Sequence, residues 1–349
     1  MGITMPADLS NTLSIAVSAR ALFDLEEDHT YFQANGVEAY REYQKERFDN
    51  PPTPGTAFPL VKALLGLNAT IGQEVVTVTL MSRNSPDLGH RLTRAAAHYG
   101  LDIKRWAFTS GEPVGKYLQA FQVDMFLSRE IEPVEQALEA GIAAGVVYPA
   151  AGVYEVGDGI TFAFDGDAVL FDGESEQIYK DRGIEAFLEH EKRNARTPMK
   201  AGPFGRMLKT LSSLQALIPP KNPPIKIALV TARNAPAHER VLHTLDIWGV
   251  RVDQMFMLGG LAKHPFLTIL KPHIFFDDQD VHAAPAAEHV PSVRVPYRVG
   301  ATAPDLSAAK VISAVIQTAT TSLVVTANAP PAEAPANNLS APQGTAPAA

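Results

Sequence analysis

The chain has 349 residues, 46% of them apolar and 19% charged, with a formal net charge of -8 and no cysteine. That length supports a well-buried core and more than one domain, and the missing cysteine excludes disulfides, thiolate metal sites and a cysteine nucleophile. The acidic balance, without a long run of Lys or Arg, argues against nucleic acid as a partner, because phosphate neutralisation needs clustered cations.

A small phosphorylated ligand needs only two or three cations and stays open. No apolar run approaches the roughly 20 residues that span a bilayer, so no membrane partner is expected. Met1 to Ser10 lack the basic and apolar regions of a secretory signal. A cytoplasmic protein is therefore expected.

In chain order, apolar β-branched runs alternate with amphipathic stretches, the pattern of an α/β protein with a mostly parallel sheet. The first ten residues are expected to be loose. The first half predicts strands over Ser14–Val17, Val75–Leu80, Arg105–Phe108 and Met125–Leu127, with helices over Gly36–Arg47 and Pro86–His98. The second half predicts strands over Ile160–Phe164, Ile225–Val230, Gln254–Leu258, His273–Phe276 and Ser292–Val295. Its helices are expected over Ile184–Arg193, Phe204–Ala216, Ala235–Trp248 and Pro265–Leu270. From about Asn328 the chain is Ala, Pro and Asn with almost no bulk, too little apolar surface to offset the entropy of ordering, and is expected to be disordered.

The halves align with each other. Gly36-Val37-Glu38-Ala39-Tyr40 falls on Gly183-Ile184-Glu185-Ala186-Phe187 at an offset of 147 residues, and Gly55 falls on Gly202. After a two-residue shift Leu80 falls on Leu229, Gly111 on Gly260 and Phe126 on Phe275. Internal repeats decide architecture, so the expectation is two Rossmann-like lobes. The boundaries are a flexible N-terminus at 1–10, a first lobe at 11–150, a second at 151–327 with a cap insertion at about 172–224, and the tail at 328–349.

Only the second copy carries acids at its strand ends. Asp165 and Asp167 directly follow one apolar run, and Asp277 and Asp278 end another. Alone, Asp-Gly-Asp reads equally well as a surface turn, and a calcium loop is disfavoured by the apolar Val169-Leu170-Phe171. Adjacent buried carboxylates repel unless a cation compensates, which points to a hard divalent ion, and Mg²⁺ takes few carboxylates while keeping substrate oxygens. Thr231 ends a third strand with Arg233 close behind, and Lys263 sits in a glycine-containing loop ahead of a helix. These three could meet a phosphate. Asp172, Glu174, Ser175 and Glu176 follow the first motif and are candidates for substrate discrimination or a solvated acidic loop.

Asp-x-Asp, then Thr, then Lys, then Asp-Asp, each at a strand end or loop, resembles the motif order of the haloacid dehalogenase superfamily. Ala163 to Phe171, Leu229 to Arg233 and Pro272 to Gln279 are similar to the cytosolic 5'-nucleotidase type I family, as are Ser18 to Asp24 and Gly36 to Tyr40 in the first half. The similarity runs from about Ser14 to Val299. It implies a haloacid dehalogenase-like fold and Mg²⁺-dependent hydrolysis of nucleoside 5'-monophosphates.

By that resemblance Asp165 is the nucleophile that becomes an aspartyl phosphate, and Asp167 is the acid and base. The metal would be held by Asp165, the Asp167 backbone carbonyl, Asp278 and, directly or at one remove, Asp277; Thr231, Arg233 and Lys263 would hold the phosphoryl oxygens. The alternatives are a phosphatase of another small phosphate ester and a non-catalytic nucleotide-binding protein. In the first copy Ser18, Arg20, Ser82, Ser128 and Arg129 take the places of Asp165, Asp167, Thr231, Asp277 and Asp278, which leaves a structural lobe or a regulatory nucleotide site at Arg20 and Arg129. The resemblance also raises a homo-oligomer, although no heptad pattern in the chain demands one.

Overall fold

A computed structural model describes residues 7–86, 89–217, 223–297 and 303–313. The expected disordered tail at 328–349 and the first six residues lie outside the described residues. The first half contains β1 (Leu13–Ser18), α1 (Ala19–Leu22), α2 (Glu26–Glu46), α3 (Phe58–Ile71), β2 (Val76–Ser82), α4 (Gly89–His98), β3 (Arg105–Phe108), β4 (Met125–Ser128), α5 (Ile131–Glu139) and β5 (Ala143–Val147). The second contains β6 (Ile160–Phe164), α6 (Glu174–Arg193), α7 (Gly205–Gln215), β7 (Ile225–Thr231), α8 (His238–Trp248), β8 (Gln254–Met257), α9 (His264–Leu270), β9 (Ile274–Asp277), α10 (Asp280–Ala287) and β10 (Ser292–Arg294).

All ten strands form one sheet in the order β3-β2-β1-β4-β5-β10-β9-β6-β7-β8. The halves expected as two lobes thus share a continuous sheet within one compact unit. Every neighbour pair is parallel except β5 with β10, where Val147 faces Val293 and Val146 faces Arg294. Gly145 explains how this seam closes: a Cβ there would stand 2.2 Å from Cγ1 of Val293, so only glycine admits the valine.

Parallel strands need cover on both faces, and alternation along each strand supplies it. Leu13, Ile15 and Val17 of β1 and Phe162 and Phe164 of β6 enter one large core. Ala16 and Phe126 face a second core on the other side, and Ala163, Val230 and Phe275 face a third. The Phe164 and Phe276 rings stack at 5.1 Å, and Phe204 packs tilted against both at 5.9 and 4.5 Å. α8 places Val241, Leu245 and Trp248 on one buried face and stops at Gly249, whose φ of 64° is the left-handed conformation of a helix C-terminus.

The helix α6 begins ten residues before the expected Ile184. It is broken at Gly183 (φ 81°, ψ -176°), and α2 is broken in the same way at Gly36 (φ 76°, ψ -176°). The charged segment ahead of each glycine is helical, and Glu174 to Glu176, which also read as an acidic loop, begin α6. Among the described residues no helix is long and apolar enough to cross a membrane.

Candidate active site

Ligand crevices of open α/β sheets lie outside the carboxyl ends of the strands. β6 is flanked by β7 and β9, with Phe164 level with Leu229 on one side and Phe276 on the other. The residues just past these three positions are therefore brought together. Asp165 follows β6, Thr231 and Asp277 are the last residues of β7 and β9, and Asp278 comes next.

Asp165 extends the ladder by one bond, its N–H donating to the Phe276 carbonyl at 2.8 Å. The chain then folds back in a tight turn closed by the Phe171 N–H on the Gly166 carbonyl at 2.9 Å. Ala168 within it sits at φ 59°, a left-handed value that a non-glycine residue adopts at a cost of about 1–2 kcal/mol. Two backbone bonds fasten this turn to the α6–α7 connection, Gly202 N–H to Leu170 O at 2.8 Å and Phe204 N–H to Val169 O at 2.9 Å. A Cβ on Gly202 would lie 2.2 Å from the Phe171 carbonyl, so the close approach requires glycine.

Lys263, at the start of α9 and only 2% exposed, links the carboxylates. Its Nζ stands 2.7 Å from Asp165 Oδ1 and 2.6 Å from Asp277 Oδ2. Burial works against its charge, but the two carboxylates outweigh burial and raise its pKa. The other oxygen of Asp277 accepts the Gln279 N–H at 2.9 Å, so Asp277 is fully engaged by protein groups. Asp278 differs. Its Oδ1 is buried without a hydrogen-bond partner, and burial together with Asp165, Glu176 and Asp277 pushes its carboxyl well above the usual range. Burial likewise raises Asp165 and Asp277.

Oxygens of Asp165, Asp277 and Asp278 all lie within 4.8 Å of one another. Three crowded carboxylates, one with an unsatisfied buried oxygen, fit a hard divalent cation, which prefers oxygen donors and would supply the missing partner.

Two expected site residues are placed differently. Both oxygens of Asp167 accept from Arg233, Nε to Oδ2 and Nη2 to Oδ1 at 2.7 Å each. Arg233, expected near a phosphate, is instead buried, its Nη1 donating to Glu191 Oε2 at 2.5 Å. The Asp167 carboxylate accordingly faces Arg233 and stands outside the three-carboxylate group. Thr231 is buried, and its Oγ1 accepts the Arg233 N–H at 3.3 Å.

Glu191 and Arg240 were not singled out by the sequence, yet they anchor this corner. Glu191 of α6 accepts from Arg240 at 3.0 Å and from the Ser175 hydroxyl at 2.6 Å in addition to Arg233. The one available signal was the internal alignment, which sets Glu191 on Gln44 and Arg240 on Arg91; these two also meet each other and Asp28 in a buried cluster. Of the four candidates for discrimination, Ser175 is committed to Glu191, and Glu176 accepts from Gln279 Nε2 at 2.9 Å and pairs with Lys180. Asp172 is half-buried, its N–H on the Lys200 carbonyl, and Glu174 is exposed at the start of α6.

Comparison with known proteins supplies the remaining observations. A family model described as 5'-nucleotidase matches residues 5–302. The human protein named cytosolic 5'-nucleotidase 1B is 37% identical over 290 residues, covering 79% of this chain and 47% of the relative. The chain thus spans about half the length of the curated relative it matches. Among solved structures, the histidinol dehydrogenase from Elizabethkingia anophelis covers 87% of this chain and 60% of its own, at 10% identity and a TM-score of 0.22, too low to say anything about the fold.

Proposed function

This chain belongs to the 5'-nucleotidase family, and on that premise we propose that it hydrolyses nucleoside 5'-monophosphates to nucleoside and phosphate. The observation that carries the reading is the meeting of Asp165, Asp277 and Asp278 around Lys263 at adjacent parallel strand ends. A structural cluster would have no use for an Asp278 oxygen left without a partner.

In the proposed mechanism Asp165 attacks phosphorus, the bond to the 5'-oxygen breaks, and Asp167 gives that oxygen a proton. Water then attacks the aspartyl phosphate, Asp167 takes its proton, and the acyl–phosphate bond breaks to release phosphate. Two easier displacements replace one difficult one. Lys263 and Thr231 hold the phosphoryl oxygens, so that positioning and neutralisation do most of the work. Asp167 must leave Arg233 to reach the substrate, which makes their paired geometry a resting arrangement. Asp165, Asp278 and the Asp167 carbonyl, with Asp277 directly or at one remove, would hold Mg²⁺, which would offset the charge between nucleophile and phosphate.

The same reading takes residues 11–150 and 151–327 as copies of one haloacid dehalogenase-like unit, with 172–224 as the cap and 1–10 and 328–349 as flanking segments. The strand order supports it, since β3-β2-β1-β4-β5 and β8-β7-β6-β9-β10 are the same path. Register supports it too: Val17 lies level with Leu80 and Leu127 as Phe164 lies level with Leu229 and Phe276, at the offsets of the internal alignment. A regulatory nucleotide at Arg20 and Arg129, assembly as a homo-oligomer and a cytosolic location, the last in line with the relative's name, complete the proposal.

Beryllium fluoride, a mimic of the phosphoryl group on aspartate, tests the site without turnover. With Mg²⁺ it is expected to raise the melting temperature of the wild type by several degrees, since a ligand at 100 times its Kd adds about 2.7 kcal/mol. Asp165→Asn and Mg²⁺-free wild type are expected to show no shift. An equal shift in all three would remove Asp165 and the metal from the site.

A further inference from the structure

A cavity of about 510 Å³ opens in the first half, within the roughly 300–1,000 Å³ of small-molecule sites. Ser18, Ser82 and Ser128 line it from the ends of β1, β2 and β4, with Arg20 and Arg129 beside them. Each serine oxygen already accepts a backbone N–H from two or three residues on, Ala21, Asn84 and Glu130 respectively. Each hydroxyl hydrogen therefore remains available to a ligand. The opposite wall is α2, where the rings of Phe32 and Tyr40 meet edge to face at 5.4 Å.

Two guanidiniums share one carboxylate here. Arg20 Nη2 donates to both oxygens of Glu26 at 2.9 and 3.0 Å, and Arg129 Nη2 lies 3.2 Å from the same group. One acid cannot neutralise both, and Arg20 Nε is buried without a hydrogen-bond partner. Glu26 is the first residue of α2 and its side chain is 45% exposed. Partly exposed ion pairs contribute little, so displacing this one costs little.

We propose that Glu26 is an internal stand-in for a phosphate group, and that a phosphate monoester with a planar ring body binds this cavity by displacing it. The inference rests on reading the first half as a degenerate copy. Phosphate takes the seat between Arg20 and Arg129, which grip it in the bidentate manner of guanidinium, with the three serine hydroxyls as further donors. The ring lies against Phe32 and Tyr40. No bond is made or broken, because Ser18 and Arg20 stand where the second half has carboxylates.

The test is equilibrium binding of adenosine and guanosine 5'-monophosphates to the full chain carrying Asp165→Asn, without divalent cation, so that the second half takes no part in turnover. Adding Glu26→Gln is expected to tighten binding of at least one nucleotide by about tenfold or more, the scale of a charged hydrogen bond no longer in competition. Adding Arg129→Met, or Arg20→Gln should the former melt early, is expected to abolish that tightening. Unchanged or weaker binding in Glu26→Gln, or no binding at all, would overturn the proposal, as would a tightening that survives both arginine substitutions. Orthophosphate binding as tightly as the nucleotides would overturn the ring-bearing ligand. The catalytic reading fails or stands separately, on phosphate release by the wild type.

Discussion

Asp165→Asn is expected to lower phosphate release from nucleoside 5'-monophosphates by about 10³-fold or more, with no loss of thermal stability. The activity loss follows from removing the nucleophile, whose effect in covalent catalysis is of that order or larger. The stability expectation follows from the neighbours. Asparagine keeps the shape, its carbonyl can still accept from Lys263, and Lys263 retains Asp277 at 2.6 Å. Of three carboxylates crowded within 4.8 Å, one negative charge disappears, which relieves repulsion in the metal-free protein. Steady-state rates and a melting curve on the same preparation check both halves. A variant that unfolds would mean that Asp165 holds the sheet together, and a variant that turns over normally would mean that another group attacks phosphorus.

Glu191→Leu is expected to destabilise the chain by about 3–5 kcal/mol, because removing one partner of a buried ion network leaves uncompensated charge behind. Glu191 is 1% exposed and satisfies two guanidiniums and a hydroxyl. Arg233 would keep Asp167, but Arg240 would lose its carboxylate. Glu191→Gln, which keeps the shape and the acceptor oxygen, is expected to cost roughly half as much. Urea denaturation separates the two. The change should also disturb catalysis, since Glu191 fixes the guanidinium that holds Asp167. If both variants melt with the wild type, the network is of no structural consequence.

Much of this was legible in the residues. The runs at Ile160–Phe164 and Arg105–Phe108 are strands with those bounds, because short runs that carry β-branched or aromatic residues between turn residues have few other uses. The meeting of Asp165, Asp277 and Asp278 was legible because buried carboxylates at strand ends are costly without a cation, whereas the pairing of Asp167 with Arg233 was not. Other features could not be read. β5, Ala-Ala-Gly-Val-Val, is too rich in small residues to look like a strand, and its glycine is explained only by the valine across the seam. That strand joins the strands of the two halves into one sheet.

The placement of Arg233 was hidden for a different reason. An arginine two residues past a strand-end threonine can turn outward to a phosphate or inward to an acid. Glu191, the acid that draws it inward, lies on a helix whose sequence carries no mark of burial. Gly183 also obscured the start of α6, since periodicity breaks at a residue with φ of 81°.

Phosphate release by the wild-type chain from a panel of nucleoside 5'-monophosphates, with Mg²⁺ and then with EDTA, bears most directly on the central claim. Release from at least one nucleotide with Mg²⁺, lost with EDTA, is the predicted result, and the ranking of bases would define the substrate. A folded protein that releases no phosphate from any of them with Mg²⁺ present would contradict the account.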